Sequence, residues 1–215
     1  MEPSDVRSMC CRLRLDLTEL RRKNGGLFGA GDSTGSIGVV TINLPRIAYE
    51  NKNSLVKFFI ALDRVMTEAC MSLEIKRHWL ETNVINTGMI PAFQEYVGSI
   101  DNYFSTIGFV GLNEMCENLV GVDIQDSYGL VIAQAVLNFM RDKLIEFQKT
   151  TTHLYNLEAT PAESTCYKLA LRDVEDYPDI ITQGTKENPY YTNSCHIPVK
   201  DVTSIHQLLK HQDKL

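Results

Sequence analysis

The chain has 215 residues, 44 % of them hydrophobic and 22 % charged, with a formal charge of 21 − 27 = −6. That is the size of one domain with a core that needs no staples, and the mild acidity excludes a broad electrostatic attraction to nucleic acid or to an anionic membrane surface. No apolar run approaches the ~18 residues that span a bilayer, and the N-terminal segment lacks a signal-peptide core, so the expectation is a cytoplasmic protein with neither a membrane nor a nucleic-acid partner.

The segment Cys11-Arg-Leu-Arg-Leu-Asp-Leu17 alternates as a strand with one buried face does. Between Asn24 and Gly38, six of fifteen residues are glycine, which predicts a loop with wide backbone freedom. Residues 37–44 form a β-branched run that predicts a strand buried on both faces, ended by Pro45. Asn53 or Ser54 then caps a long helix carrying Leu55, Phe58, Phe59, Leu62, Val65, Met66, Ala69 and Leu73 at helical spacing. A strand is predicted over 104–110, a helix over 112–119 and a second long helix over 127–149. Strands at 154–158 and 190–197 complete the set. Strands alternating with helices predict an α/β fold around a largely parallel sheet.

Of six cysteines, Cys10 and Cys11 are adjacent, while Cys70, Cys116, Cys166 and Cys195 stand far apart. With no CxxC pair, the spacing predicts no metal site within the chain and free thiols in a reducing compartment. Adjacent cysteines cannot easily close an unstrained disulfide, so a pair at a strand mouth suits transfer of a hydrogen atom or electron. Two small buried residues is the structural alternative. In Thr160-Pro-Ala-Glu163, Thr160 is the expected N-cap, Pro161 the first helical residue and Glu163 the far end of a capping box. The N–H groups of Ala162, Glu163, Ser164 and Thr165, with the hydroxyls of Ser164 and Thr165, then form a phosphate seat at the positive end of a helix; a plain capped helix is the alternative. Asp32-Ser-Thr-Gly-Ser36 lacks the lysine of a P-loop and reads as a connector. Asn113, Glu114 and Glu117 flank Cys116 without a histidine, which is thin ground for a metal. His153, His196, His206 and His211 are scattered.

Five segments carry a resemblance: Met9-Cys-Cys-Arg-Leu-Arg-Leu-Asp-Leu17, Gly35-Ser-Ile-Gly-Val-Val-Thr-Ile-Asn-Leu-Pro-Arg-Ile47, Ser105-Thr-Ile-Gly-Phe-Val-Gly-Leu-Asn-Glu-Met-Cys116, Leu154-Tyr-Asn-Leu-Glu-Ala-Thr-Pro-Ala-Glu-Ser-Thr165 and Tyr190-Tyr-Thr-Asn-Ser194. In this order, and across essentially the whole chain, the sequence resembles the anaerobic, class III ribonucleotide reductases. The resemblance implies the second half of a ten-stranded α/β barrel of the glycyl-radical enzyme type, with a finger loop near residues 8–14. Residues 1–215 are then one partial catalytic barrel domain. The upstream half-barrel, regulatory domain, zinc site and glycyl-radical segment are expected to be missing from it.

By its place before Arg12, Cys11 resembles the thiyl cysteine that takes the 3′ hydrogen of a ribonucleoside triphosphate. Ser36 stands where formate-using members carry asparagine. The doubled cysteine resembles the branch reduced by a thioredoxin- or glutaredoxin-like protein, with Cys10 supplying reducing equivalents. Ser36, Thr160, Ala162, Glu163, Ser164 and Thr165 are the implied substrate-binding set. Further implied are a radical-SAM activating enzyme, a homodimer when complete, and a glycyl radical and structural zinc from the missing C-terminal part. The segment alone is expected to be inactive. A pyruvate formate-lyase-like enzyme, which also presents adjacent cysteines, and a truncated non-catalytic product are the alternatives.

Overall fold

In a computed structural model, residues 6–8, 14–16, 35–159, 161–202 and 204–215 are described, the first two groups as backbone only. Strands β1 (Val6–Ser8) and β2 (Arg14–Asp16) pair antiparallel, Val6 opposite Asp16 and Ser8 opposite Arg14. Of the alternating segment expected at 11–17, three residues are thus seen as strand.

The centre of the molecule is a parallel sheet in the order β3 (Ser36–Asn43), β4 (Phe104–Val110), β5 (Leu154–Glu158). Sequential parallel neighbours need a crossover on one face, and helices provide it. Between β3 and β4 run α1 (Leu44–Glu50), α2 (Leu55–Leu80), a wider turn at Glu81–Ile85 and α3 (Pro91–Tyr96). Between β4 and β5 run α4 (Leu112–Val120) and α5 (Ser127–Thr151). After β5 come α6 (Glu163–Asp176), the short strands β6 (Gln183–Gly184) and β7 (Pro189–Tyr190), a single 3-10 turn (Val199–Asp201) and α7 (Ile205–Gln212). This is the α/β fold with a parallel sheet that the alternation predicts. Among the described residues no helix is long and apolar enough to cross a membrane.

Pro45 does not simply end the strand: it sits in the first turn of α1, where its missing N–H costs nothing. Ser54 caps α2 through its hydroxyl, which accepts from the Lys57 N–H. The apolar face of α2 (Phe58, Leu62, Met66, Ala69, Leu73) meets that of α5 (Ile132, Val136, Leu137, Met140, Leu144) over Ile42, Ile107 and Phe109 of the sheet. Arg77, 1 % exposed, extends this layer by donating to the carbonyls of Ile100 (2.8 Å) and Tyr103 (2.6 Å), which fixes the approach to β4.

Three expectations are corrected. Strand β3 is buried on one face only, because among the described residues it has a single neighbour and nothing covers its other side; β4, in the middle, is buried along its whole length. Residues 190–197 are not a continuous strand. Only Pro189–Tyr190 pairs as one, and Val110 makes a lone bridge to Asn193. The carbonyls of Thr192 and Ser194 instead accept from the N–H groups of Gly111 and Leu112, and Ser194 takes a left-handed φ of 47°. Lastly, α6 begins at Glu163 with Ala162 rather than Thr160 as its N-cap, so Pro161 precedes the helix. The cause is Asn193, whose Oδ1 accepts from the Ala162 N–H at 3.0 Å and pins the turn two residues later than the sequence suggests.

Candidate functional site

In a parallel sheet, residues in register point to the same side. One side carries Val40, Ile42, Ile107, Phe109, Tyr155 and Leu157 into the core. The opposite side carries the rows Val39–Thr106–Asn156, Thr41–Gly108–Glu158 and Asn43–Val110. That face is small and polar where the other is apolar. Thr106 donates to Asn156 Oδ1 at 2.8 Å, which holds both side chains flat against the sheet.

Ser36 joins this face through a break in register. It pairs with Phe104, while Gly38 pairs with Ser105, so one extra residue sits between them. Without that bulge, simple alternation would aim Ser36 at the core side together with Gly38 and Val40; the bulge turns it to the open side. Ser36, opposite Phe104, lies at the N-terminal edge of the sheet, roughly 13 Å along the strands from the Thr41–Gly108–Glu158 row. The structure therefore puts Ser36 and the α6 turn at opposite ends of one face rather than together.

The C-terminal edge is where open α/β sheets bind ligands. Here β5 delivers Glu158 and then the turn into α6. Glu158 is half-buried, has no hydrogen-bond partner among the described residues, and burial pushes its carboxyl up from the ordinary value. No described side chain caps the first turn of α6, so the N–H groups of Glu163, Ser164 and Thr165 keep the unpaired character of a helix start. Glu163 is itself in that turn and borders a cavity of ≈ 490 Å³ shared with Cys166, Thr192, Asn193 and His196.

The turn is held by a buried polar frame. Glu114, fully buried on α4, accepts from the Thr192 N–H (3.0 Å) and the Thr192 hydroxyl (2.6 Å). Asn193 in turn accepts from Ala162 and from the Cys166 thiol (3.1 Å). Asp173, 1 % exposed on α6, accepts from Asn43 (2.6 Å), Arg46 (3.0 Å) and Tyr191 (2.8 Å). Four segments distant in sequence thereby meet around the ends of β3, β4 and β5.

Burial pushes the Cys116 and Cys166 thiols up to about 12 and raises those of Cys70 and Cys195. Such thiols are poor nucleophiles, and all four pack as core. Of the other predicted site residues, Ala162, Glu163, Ser164 and Thr165 are brought together at the α6 start, whereas Cys10, Cys11 and Thr160 lie outside the described residues. Sequence reasoning missed Glu158, Asn193 and Asp173, and weighed Glu114 only as a thin metal candidate. The polar residue ending the 154–158 strand pattern was the available signal for the first; the other three depend on contacts 18 to 130 residues away in the chain. Among the described residues no group of three His, Cys, Asp or Glu side chains stands where it would hold a metal ion, so they do not fit a zinc.

The sequence profile of a family described as anaerobic ribonucleoside-triphosphate reductase matches residues 1–215. The chain is 26 % identical over 184 residues to the anaerobic ribonucleoside-triphosphate reductase of Haemophilus influenzae, and 27 % over 187 residues to that of Enterobacteria phage T4. Each match covers 79 % of this chain, but only 26 % and 29 % of the relative, so the chain spans little more than a quarter of the curated relatives' length. The anaerobic ribonucleotide reductase of Thermotoga maritima, solved with glycerol in its active site, superposes with a TM-score of 0.73 at 23 % identity, over 85 % of this chain and 30 % of that one. The same enzyme in complex with dATP and CTP gives a TM-score of 0.73 at 24 % identity, over 85 % and 30 %. The chain belongs to the anaerobic ribonucleoside-triphosphate reductase family.

Proposed function

We propose that residues 1–215 are the part of a ribonucleoside-triphosphate reductase that seats the substrate and carries the cysteine which starts its reduction, one partial barrel domain with the finger loop near residues 8–14. The observation that carries this is the α6 start. Three N–H groups are left uncapped by any described side chain, at the C-terminal edge of the sheet face that carries Thr41, Thr106, Asn156 and Glu158. The positive end of a helix suits the triphosphate. Ser164 and Thr165 add hydroxyl donors, and the Asn193 hold on Ala162 keeps the turn open. Glu163 stands in the same turn and must face away from the anion. The ribose then lies over the Thr41–Gly108–Glu158 row, with Ser36 toward the far end of the face, where the reductant is handled.

The resemblance supplies the chemistry. A thiyl on Cys11 takes the 3′ hydrogen atom, leaving a thiol and a substrate radical. The 2′ hydroxyl takes up a proton and departs as water, two electrons and a second proton enter so that C2′ gains a hydrogen, and the hydrogen atom returns from the Cys11 thiol to C3′, restoring the thiyl. In the thioredoxin- or glutaredoxin-type branch those equivalents come from a dithiol through Cys10, which ends as a disulfide partner to be reduced. A glycyl radical, a radical-SAM activating enzyme and a structural zinc belong to this reading as contributions from outside these residues, as does a homodimer.

In the full-length, activated enzyme containing this segment, Cys11→Ala should abolish deoxynucleotide formation and leave nucleotide binding intact. Cys10→Ala should spare a single turnover and slow multiple turnover with a protein reductant. Normal turnover by Cys11→Ala removes the thiyl assignment, and an unchanged multiple-turnover rate removes Cys10 from the reductant role.

A further inference from the structure

Helix α2 is 26 residues long, and the core uses only one side of it. On the other side Val56, Ile60, Met71, Ile75 and Trp79 are 56 to 72 % exposed. They fall on two adjacent rows of i, i+4 neighbours. Val56, Ile60, Arg64 and Glu68 form one row, and Thr67, Met71, Ile75 and Trp79 the other. The apolar residues thus occupy the two ends of one outer face, and its centre is polar. Single exposed apolar side chains need no explanation, but five on one face of one helix mark a contact surface.

This face is complementary to itself. Its midpoint lies between Thr67 and Glu68. A second copy of α2 laid antiparallel about a two-fold axis at that point sets Val56 opposite Trp79 and Ile60 opposite Ile75, each pairing occurring twice. Arg64 and Glu68 stand on either side of the axis, their side chains 75 and 66 % exposed, and meet each other at 3.7 Å within the helix. In the antiparallel pair, Arg64 of one copy comes within about one helical turn of Glu68 of the other, so two ion pairs merge into a four-charge network. A parallel pair would instead set Arg64 beside Arg64 and Glu68 beside Glu68. The five apolar side chains expose roughly 400 Å² per copy, and the stems of the polar residues among them add about half as much again. Two copies crossing at about 20° stay in contact along the helix and remove roughly 1,200 Å², the lower limit of a specific interface, which suits micromolar affinity.

We propose that two copies of the chain associate through the outer face of α2, antiparallel about a two-fold axis between Thr67 and Glu68. Helix α2 packs on the apolar side of the sheet, so the pair leaves the polar face and the α6 start of both copies open. The contact therefore stands or falls independently of where the substrate sits.

The test is sedimentation equilibrium of the chain under reducing conditions, from about 1 to about 200 μM. A single monomer–dimer equilibrium is expected. Ile60→Asp and Ile75→Asp should each weaken it about tenfold or more, because the two-fold buries each new carboxylate twice. Arg64→Glu and Glu68→Arg should each weaken it about three- to tenfold, and the two together should restore it, since the double reversal again sets opposite charges across the axis. All four side chains are exposed, so these variants keep the fold, which their melting curves verify. A chain that stays monomeric throughout, a dimer indifferent to both isoleucine changes, association that runs on past the dimer, or a double reversal no better than the single ones overturns the proposal. Flotation of a monomeric chain with anionic phosphatidylglycerol vesicles would assign the face to a membrane surface and overturn it equally.

Discussion

Asp173→Ala should be among the most damaging single changes in the chain, and its partners say why. The carboxylate is 1 % exposed and accepts from three donors: Asn43 at 2.6 Å, Arg46 at 3.0 Å and Tyr191 at 2.8 Å. Arg46 keeps Glu50 (3.1 Å) and Asp176 (2.8 Å), so its charge stays paired. Asn43 is half-buried, and water reaches part of what it loses. Tyr191 is 1 % exposed, so its hydroxyl is left dry, at about 1–3 kcal/mol. With the lost charge-assisted bonds, the total comes to about 3–5 kcal/mol, the range for breaking a buried ionic contact. Tyr191→Phe removes one donor and orphans nothing, so it should cost about 1–2 kcal/mol. In the Asp173→Ala background the same change removes the orphaned hydroxyl and should be neutral or stabilising. Equilibrium urea unfolding followed by far-UV circular dichroism measures all four corners of this cycle, and melting should fall by about 2–4 °C per kcal/mol. An Asp173→Ala cost below about 1 kcal/mol, or a Tyr191→Phe cost that is the same in both backgrounds, would refute the reasoning.

Glu117 gives a pH dependence of defined sign. Burial, then the neighbouring Glu114, push its carboxyl up to about 7, so between its unfolded value and about 7 the folded chain binds the extra proton. That stabilising contribution is complete below the unfolded value near 4.5 and is lost as pH rises through about 7. Full expression of the shift would be about 3 kcal/mol, and partial solvent access reduces it to about 1–2 kcal/mol. Glu117→Gln should flatten the slope of stability between about pH 4.5 and 7, the two limits of the shift, and an unchanged slope contradicts the assignment. Gly111→Ala should destabilise by about 2 kcal/mol or more, since φ is +70° and a Cβ there meets the Pro45 ring and stands 3.3 Å from Glu114 Oε2. A melting temperature equal to that of the unaltered chain would show that this turn relaxes freely.

What was legible in the sequence is what local pattern determines. Strands 104–110 and 154–158 and the helices from Leu55 and Ser127 follow from apolar spacing and a capping side chain, all within a few residues of one another. The 190–197 segment has strand composition, but its hydrogen bonds go to Gly111, Leu112 and Glu114, about eighty residues back in the chain, and no local signal announces that. The start of α6 moved for the same reason, since Asn193, thirty-one residues on, holds the Ala162 N–H at the N-cap. The bulge at Ser36 is invisible to a period-two reading, which would turn that side chain to the wrong face. Residue types thus pointed to the α6 turn and to a family, while the frame that holds that turn came only from long-range contacts.

The claim that a ribonucleotide's phosphates sit at the α6 start is tested most directly by following backbone amide resonances of the isotope-labelled chain during titration. A ribonucleoside triphosphate and inorganic triphosphate should both shift the amides of Glu163, Ser164 and Thr165. The matching nucleoside should leave those amides in place, and Ser164→Asp, which puts a second carboxylate into the turn, should abolish the shifts. Shifts at Glu163, Ser164 and Thr165 that are equal for nucleoside and triphosphate, or absent altogether, would contradict the account.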